Sequence, residues 1–141
     1  MSPGVVLVAV AAGGVPTLDS MTGHRDLKAW QHAKILAVEC ARSARHFPGE
    51  EQGALADQLR RSAYGAALNI AEGVARRSTR DFRRFLDTAQ ASLREVQAIL
   101  EIVHELQYLD SSTIARLEAR ADEAAKTLFG LIRSLDRRTA G

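Results

Sequence analysis

No proline follows Pro48, so 93 of the 141 residues run on without the one side chain that removes a backbone donor and breaks a helix. Aromatic residues are only 5% of the chain and β-branched residues are scattered, whereas Ala, Leu, Arg and Glu dominate. That balance argues against a β-rich fold and for an all-α domain. The lone cysteine, Cys40, excludes an internal disulfide. Set in an apolar helical pattern, it reads as a small buried thiol, and such usage is consistent with a reducing cytoplasm. No apolar run approaches the roughly 20 residues that a membrane helix needs. The run from Val5 to Ala12 is far shorter, and no Lys or Arg precedes Arg25, so the basic start of a secretory signal is missing. A Gly-rich phosphate loop, a nucleophile motif and a Cys or His cluster are all missing too, and the chain is read as a non-enzyme without a cofactor or metal.

What is present divides into two parts. Residues 1–20 combine the short apolar run with Gly13, Gly14 and Pro16 and read as a disordered leader, with translation naturally starting at Met21. Residues 21–141 suit one domain, and a chain of this length buries roughly 65 to 70% of its unfolded surface in a single core.

Within that domain the apolar residues recur in steps of three and four. Asp26 is the expected N-cap of a first helix carrying Leu27, Trp30, Ala33, Ala37, Cys40 or Ala41, and Ala44, which Phe47 and Pro48 close. A second helix begins near Gln52 to Leu55 and lines up Leu55, Leu59, Ala63, Ala66, Ile70 and Val74, with Gly73 as its C-terminal breaker. Gly65 lies inside it, where glycine costs about 1 kcal/mol against alanine; close approach of a neighbouring helix is the usual compensation. Ser78 caps a third helix, with Asp81 in the reciprocal position of a capping box. Phe82, Phe85, Ala89, Ser92, Val96, Ile99, Val103 and Leu106 form its stripe, so it is the spine of the core. Asp110, Ser111 and Ser112 then open a fourth helix with Ile114, Leu117, Ala121, Ala124, Leu128, Leu131 and Leu135, ending in a basic tail. Short links between long helices predict an antiparallel up-down-up-down four-helix bundle. Leu36, Val38, Leu86, Leu93 and Leu100 widen the stripes beyond one seam and suggest assembly beyond a monomer.

The strongest functional signal is charge. Arg60, Arg61, Arg76, Arg77, Arg80, Arg83 and Arg84 fall within 25 residues, opposed only by Glu72 and Asp81. Seven against two leaves +5 in that segment, while the remaining 12 basic and 15 acidic residues sum to −3. Clustered arginines create a local positive potential and fork onto phosphate oxygens, which predicts RNA or DNA binding or an acidic protein partner. Arg84 lies nearest the apolar stripe. The competing reading makes these residues a solvated face, or intersubunit contacts of an interaction module.

Several of these residues carry a family resemblance. Asp26, Leu27 and Trp30 open the pattern; Phe47 and Pro48, then Arg60 and Arg61, follow. Asn69, Ile70, Ala71, Glu72 and Gly73 form its most specific run, followed by Ser78, Phe82, Arg84, Phe85 and Leu86 and finally by Leu106, Tyr108 and Leu109. From about Asp26 to Leu135 the chain resembles the four-helix-bundle proteins encoded in 23S ribosomal RNA intervening sequences, a family that includes the accessory variability determinant of diversity-generating retroelements. Gly65, Ala66 and Ala67 stand where the family commonly has Ser-Ile-Pro, so a proline kink in the second helix is not expected. The resemblance implies a homopentameric ring with a basic surface, which in the retroelement branch binds nucleic acid and a reverse transcriptase.

Other candidates read as structural. Asn69 lies near the apolar face and Glu72 three residues on; together they are the only weak enzymatic candidates, but a buried amide normally has a structural partner and Glu72 is placed to pair with Arg76. Glu101 and His104 make a Glu-x-x-His pair, yet di-iron bundles need two such pairs and two further glutamates. His24, His32 and His46 show no ligand spacing.

Overall fold

Helix α1 spans Lys28–Ala44, α2 Leu55–Val74, α3 Thr79–Leu106 and α4 Ser111–Ala140, with one 3-10 turn at Gly49–Glu51. The computed structural model describes residues 23–140, so the leader reading and the start at Met21 lie outside the described residues. Each helix packs on its neighbours in sequence and α4 closes on α1. Short links reverse the chain each time, and the fold is the expected all-α, up-down-up-down four-helix bundle.

The helix ends follow the sequence with two exceptions. Ser78 Oγ accepts the Asp81 backbone N–H at 3.0 Å and so starts α3. Asp110 Oδ1 starts α4, accepting from Thr113 N at 2.8 Å and from Ser112 Oγ at 3.1 Å. Gln107 closes α3 in the left-handed conformation (φ 58°), and Tyr108 N–H returns to the Val103 carbonyl at 3.3 Å. Asp26, however, does not cap α1: the N-cap is Leu27, without a side-chain bond, and Asp26 is itself buried one residue upstream. Gly73 is not a breaker either. It is buried inside α2, which runs on through Val74. A Cβ there would stand 2.9 Å from Phe85 Cβ and 3.0 Å from Phe82 Cδ1, so the glycine is needed for the approach of α3 rather than for a turn. Gly65 performs the same service further along, where an added Cβ would lie 3.2 Å from Ser92 Oγ.

The core is asymmetric. Ala29, Ala33, Ala37 and Ala44 of α1 and Ala56, Ala63, Ala66 and Ala67 of α2 are buried, giving two slim helices. Phe82, Leu86, Leu93, Val96 and Leu100 of α3, with Leu117 and Leu128 of α4, fill the volume they leave. Leu36, Leu86, Leu93 and Leu100 are therefore interior residues of one bundle and do not argue for assembly. Of the residues singled out for that role only Val38 is exposed, at 41%, while Leu106, expected in the core, is 48% exposed. Burial pushes the Cys40 thiol up to about 12, which makes it inert at neutral pH. No helix among the described residues is long and apolar enough to cross a membrane.

Candidate nucleic-acid interface

Helix α2 divides the arginine cluster. Sixteen residues separate Arg60 from Arg76 along it, or about 24 Å at 1.5 Å per residue. Arg60 and Arg61 belong to the far end of the bundle. There the Arg60 guanidinium donates to the Gln52 carbonyl at 3.1 Å, and Gln52 Nε2 in turn caps the end of α1, donating to the Ala44 carbonyl at 2.9 Å. Arg61 pairs with Asp57 at 3.4 Å. Glu50, Glu51, Glu101, Glu105 and Asp110 share that end with Arg42, Arg45 and Arg116, and Tyr108 donates its hydroxyl to Glu51 there at 2.8 Å. The bond to Glu51 raises the Tyr108 pKa.

Arg76, Arg77, Arg80, Arg83 and Arg84 stay together at the other end, on the α2–α3 turn and the first turns of α3. They differ in freedom. Arg83 is only 31% exposed and is committed within the bundle, its Nε 2.8 Å from Asp136 Oδ1 of α4 and its Nη1 on Asp87. The bond to Asp136, with its charge, holds that carboxyl below the usual aspartate value. Arg83, and not Arg84 as expected, is thus the one nearest the core; Arg84 is 72% exposed with a loose 3.6 Å contact to Asp81. Arg76 pairs with Glu72 and lays its guanidinium 4.6 Å from the centroid of the Phe85 ring. Arg77 and Arg80 are exposed and make no ion pair among the described residues.

The fold adds basic residues that proximity in sequence does not reveal. Because α1 and α4 run antiparallel to their neighbours, Arg25 and Lys28 at the start of α1 and Arg133, Arg137 and Arg138 at the end of α4 arrive at the same pole. The Arg83–Asp136 contact fixes that register on α4, and Arg116 and Arg120, both 3.1 Å from Glu39, fix it between α4 and α1. Ten basic side chains at this pole face five acidic ones, Asp26, Glu72, Asp81, Asp87 and Asp136. His24 lies here with its ring 4.5 Å from Trp30, and burial and Arg25 lower its pKa, which favours the neutral form. The basic tail and the short helix links are both legible in the sequence. Taken together they carry the signal for this pole.

A cleft of about 310 Å³ opens there between α3 and α4, lined by Thr79, Arg80, Arg83, Leu135, Asp136 and Thr139. Asn69 returns its amide to the Gly65 carbonyl of its own helix at 2.8 Å, and Glu72 is engaged by Arg76. Glu101 and His104 are exposed on α3, and no three His, Cys, Asp or Glu side chains converge as metal ligands among the described residues. The pole is one of positive potential with forked donors, which are able to hold phosphates.

The family model described as 23S rRNA-intervening sequence protein matches residues 25–130. Among solved structures, one from Bacteroides thetaiotaomicron, described as a protein with unknown function from the S23 ribosomal protein family, superposes with a TM-score of 0.68 at 22% identity. The superposition covers 74% of this chain and 97% of that one, and at this identity it speaks for the fold alone. No curated protein matches the sequence.

Proposed function

This chain belongs to the 23S rRNA-intervening sequence protein family, and from that premise we propose that it is a cytoplasmic, non-enzymatic, oligomeric accessory protein that binds RNA or DNA through the basic pole of its bundle. The observation that carries the reading is the convergence of three separate stretches of chain, the start of α1, the α2–α3 turn and the end of α4, on one positively charged end. Intramolecular pairing engages Arg76 and Arg83 and leaves Arg77, Arg80 and the loosely held Arg84 for phosphates. Contacts to phosphates carry no sequence information, so binding is expected to be weakly sequence-dependent. The finer reading is assistance to a reverse transcriptase, with the two sharing a nucleic acid; co-purification of the pair, abolished by nuclease, tests it.

Replacing Arg77, Arg80 and Arg84 with glutamine is expected to weaken binding of labelled RNA strongly. The slope of log affinity against log salt is expected to fall by roughly one unit for each phosphate that is no longer neutralised. Changing Arg60 and Arg61 to glutamine, about 24 Å away, should leave both quantities nearly unchanged. Titrations at several salt concentrations, with circular dichroism as a folding control, measure this. Equal effects from the two variants would locate binding elsewhere. No effect from either would leave a second reading, an interaction module, which the exposed Tyr64 and Leu68 of α2 favour.

A further inference from the structure

Phe129 is 52% exposed on the outer face of α4, although a phenylalanine side chain is among the most costly to leave in water. Of its four neighbours one turn away on α4, Ala125 and Ile132 belong to the packed side of the helix, and the two on the exposed side are basic. The Arg133 guanidinium, one turn on, lies 5.7 Å from the ring centroid, and Lys126, one turn back, is exposed. Gly130 follows directly, and a Cβ placed there would meet nothing within 4 Å, so that flank of the ring is open. The acids of this face are already engaged by α3. Asp122, seven residues before Phe129, accepts from Gln97 at 3.3 Å, and Asp136, seven residues after, is held by Arg83.

An exposed aromatic ring rimmed by Lys and Arg is poorly suited to an apolar protein partner, because docking would strip water from the charges. It suits a nucleotide, whose base offers a flat π face and whose phosphates offer the counter-charge. Bases in a duplex are stacked on one another and cannot reach such a ring. Unpaired bases can.

We propose that Phe129 is a stacking platform for an unpaired nucleobase, with Lys126 and Arg133 holding the flanking phosphates, so that the basic pole takes single-stranded RNA or DNA in preference to duplex. The inference rests on the nucleic-acid reading above and names the class of nucleic acid. Arg133 and Arg137 make the platform continuous with the pole.

The test uses the full chain, a labelled mixed-sequence oligonucleotide as a single strand, in RNA and DNA forms, and the corresponding duplexes. Phe129→Ala is expected to weaken single-strand binding roughly 5- to 150-fold, the span that removal of one stacked base covers. Duplex affinity and the salt slope should hold, since no charge is removed. Phe129→Leu, which keeps apolar bulk without a π face, should behave like the alanine variant. Phe129→Trp should retain affinity and show indole quenching on binding beyond that of Trp30 in the unmodified chain. Equal losses for single strand and duplex, or full affinity in Phe129→Leu, would overturn the platform. So would a fall in oligomeric mass on light scattering of Phe129→Ala, which would make the ring a subunit contact. If the arginine variants lose binding while Phe129→Ala does not, the platform fails and the basic pole stands. An unmodified chain that binds no strand of any kind removes the nucleic-acid reading and the platform with it.

Discussion

Gly73 and Gly130 are both helical glycines, and their surroundings give them opposite roles. Around Gly73 the nearest atoms to an added Cβ include Phe85 Cβ at 2.9 Å and the Phe82 carbonyl at 3.3 Å, atoms that move only if α3 moves. Overpacking of that kind costs typically about 1 to 3 kcal/mol, and its upper part outweighs the roughly 1 kcal/mol that alanine gains in helix propensity. Gly73→Ala is therefore expected to be destabilising, by up to about 2 kcal/mol net. At Gly130 no atom lies within 4 Å, so only helix propensity remains and Gly130→Ala should stabilise by about 1 kcal/mol. Urea denaturation of the two variants measures both signs. A more stable Gly73→Ala would mean that α2 and α3 have slack at their closest approach. Whether a neighbouring backbone approaches a glycine is a tertiary fact that the apolar period does not carry. Gly73 consequently reads as a breaker until Phe82 and Phe85 are seen against it.

At the scale of the element, helix starts with a side-chain oxygen are legible in the sequence and starts without one are not. Ser78 and Asp110 announce α3 and α4 because their short side chains reach the N–H groups of their own first turns. Asp26 has the same chemistry, yet Leu27 takes the N-cap with its backbone at φ −77° and ψ 124°, and the carboxylate is buried instead. The apolar period likewise marks which stripes face inward. It is blind to how far round each helix the core extends, which is why Leu36, Leu86, Leu93 and Leu100 look like surplus in the sequence alone. The Asp110 cap gives a pH test. Its bonds from Thr113 and then Ser112 lower its pKa from the usual 3.8, and Arg83 does the same for Asp136. With folded values below unfolded ones, the stability these carboxylates contribute is complete above the unfolded value and is lost as pH falls through the folded one. Asp110→Asn keeps an oxygen for the Thr113 N–H but cannot titrate, so it should match the unmodified chain at pH 7 and lose less stability below pH 3.8. Asp110→Ala should lower the denaturant midpoint already at pH 7. Identical acid transitions in the unmodified and asparagine chains would show that the cap contributes nothing to acid sensitivity.

The whole molecule is a rod charged differently at its two ends, and that polarity comes from topology as much as from composition. A linear reading gathers seven arginines into one cluster. An antiparallel bundle sends Arg60 and Arg61 to the opposite end, where Arg42 and Arg45 lie among the acids, and brings Arg133, Arg137 and Arg138 from the end of α4 to join the remaining five. Assembly depends on the same global placement. Among the exposed apolar residues free to make it are Val38 of α1 and, four residues apart on the outer face of α2, Tyr64, 42% exposed, and Leu68, 66% exposed. An apolar pair one turn apart on a solvated helix fits burial against another copy, and the family resemblance implies five copies in a ring. Light scattering is expected to give a mass near five times the 15.3 kDa of one chain. Leu68→Asp, which would place a charge in that contact, should reduce it to a monomer without loss of helical signal. Nucleic-acid affinity should fall in the same variant, although its basic pole is untouched, because several weak poles on one ring bind with an effective concentration that one pole lacks. A monomeric unmodified chain at micromolar concentration would remove the ring. A Leu68→Asp variant that still assembles would move the contact to another exposed apolar site, with Ile102 and Leu106 at the end of α3 the next pair one turn apart.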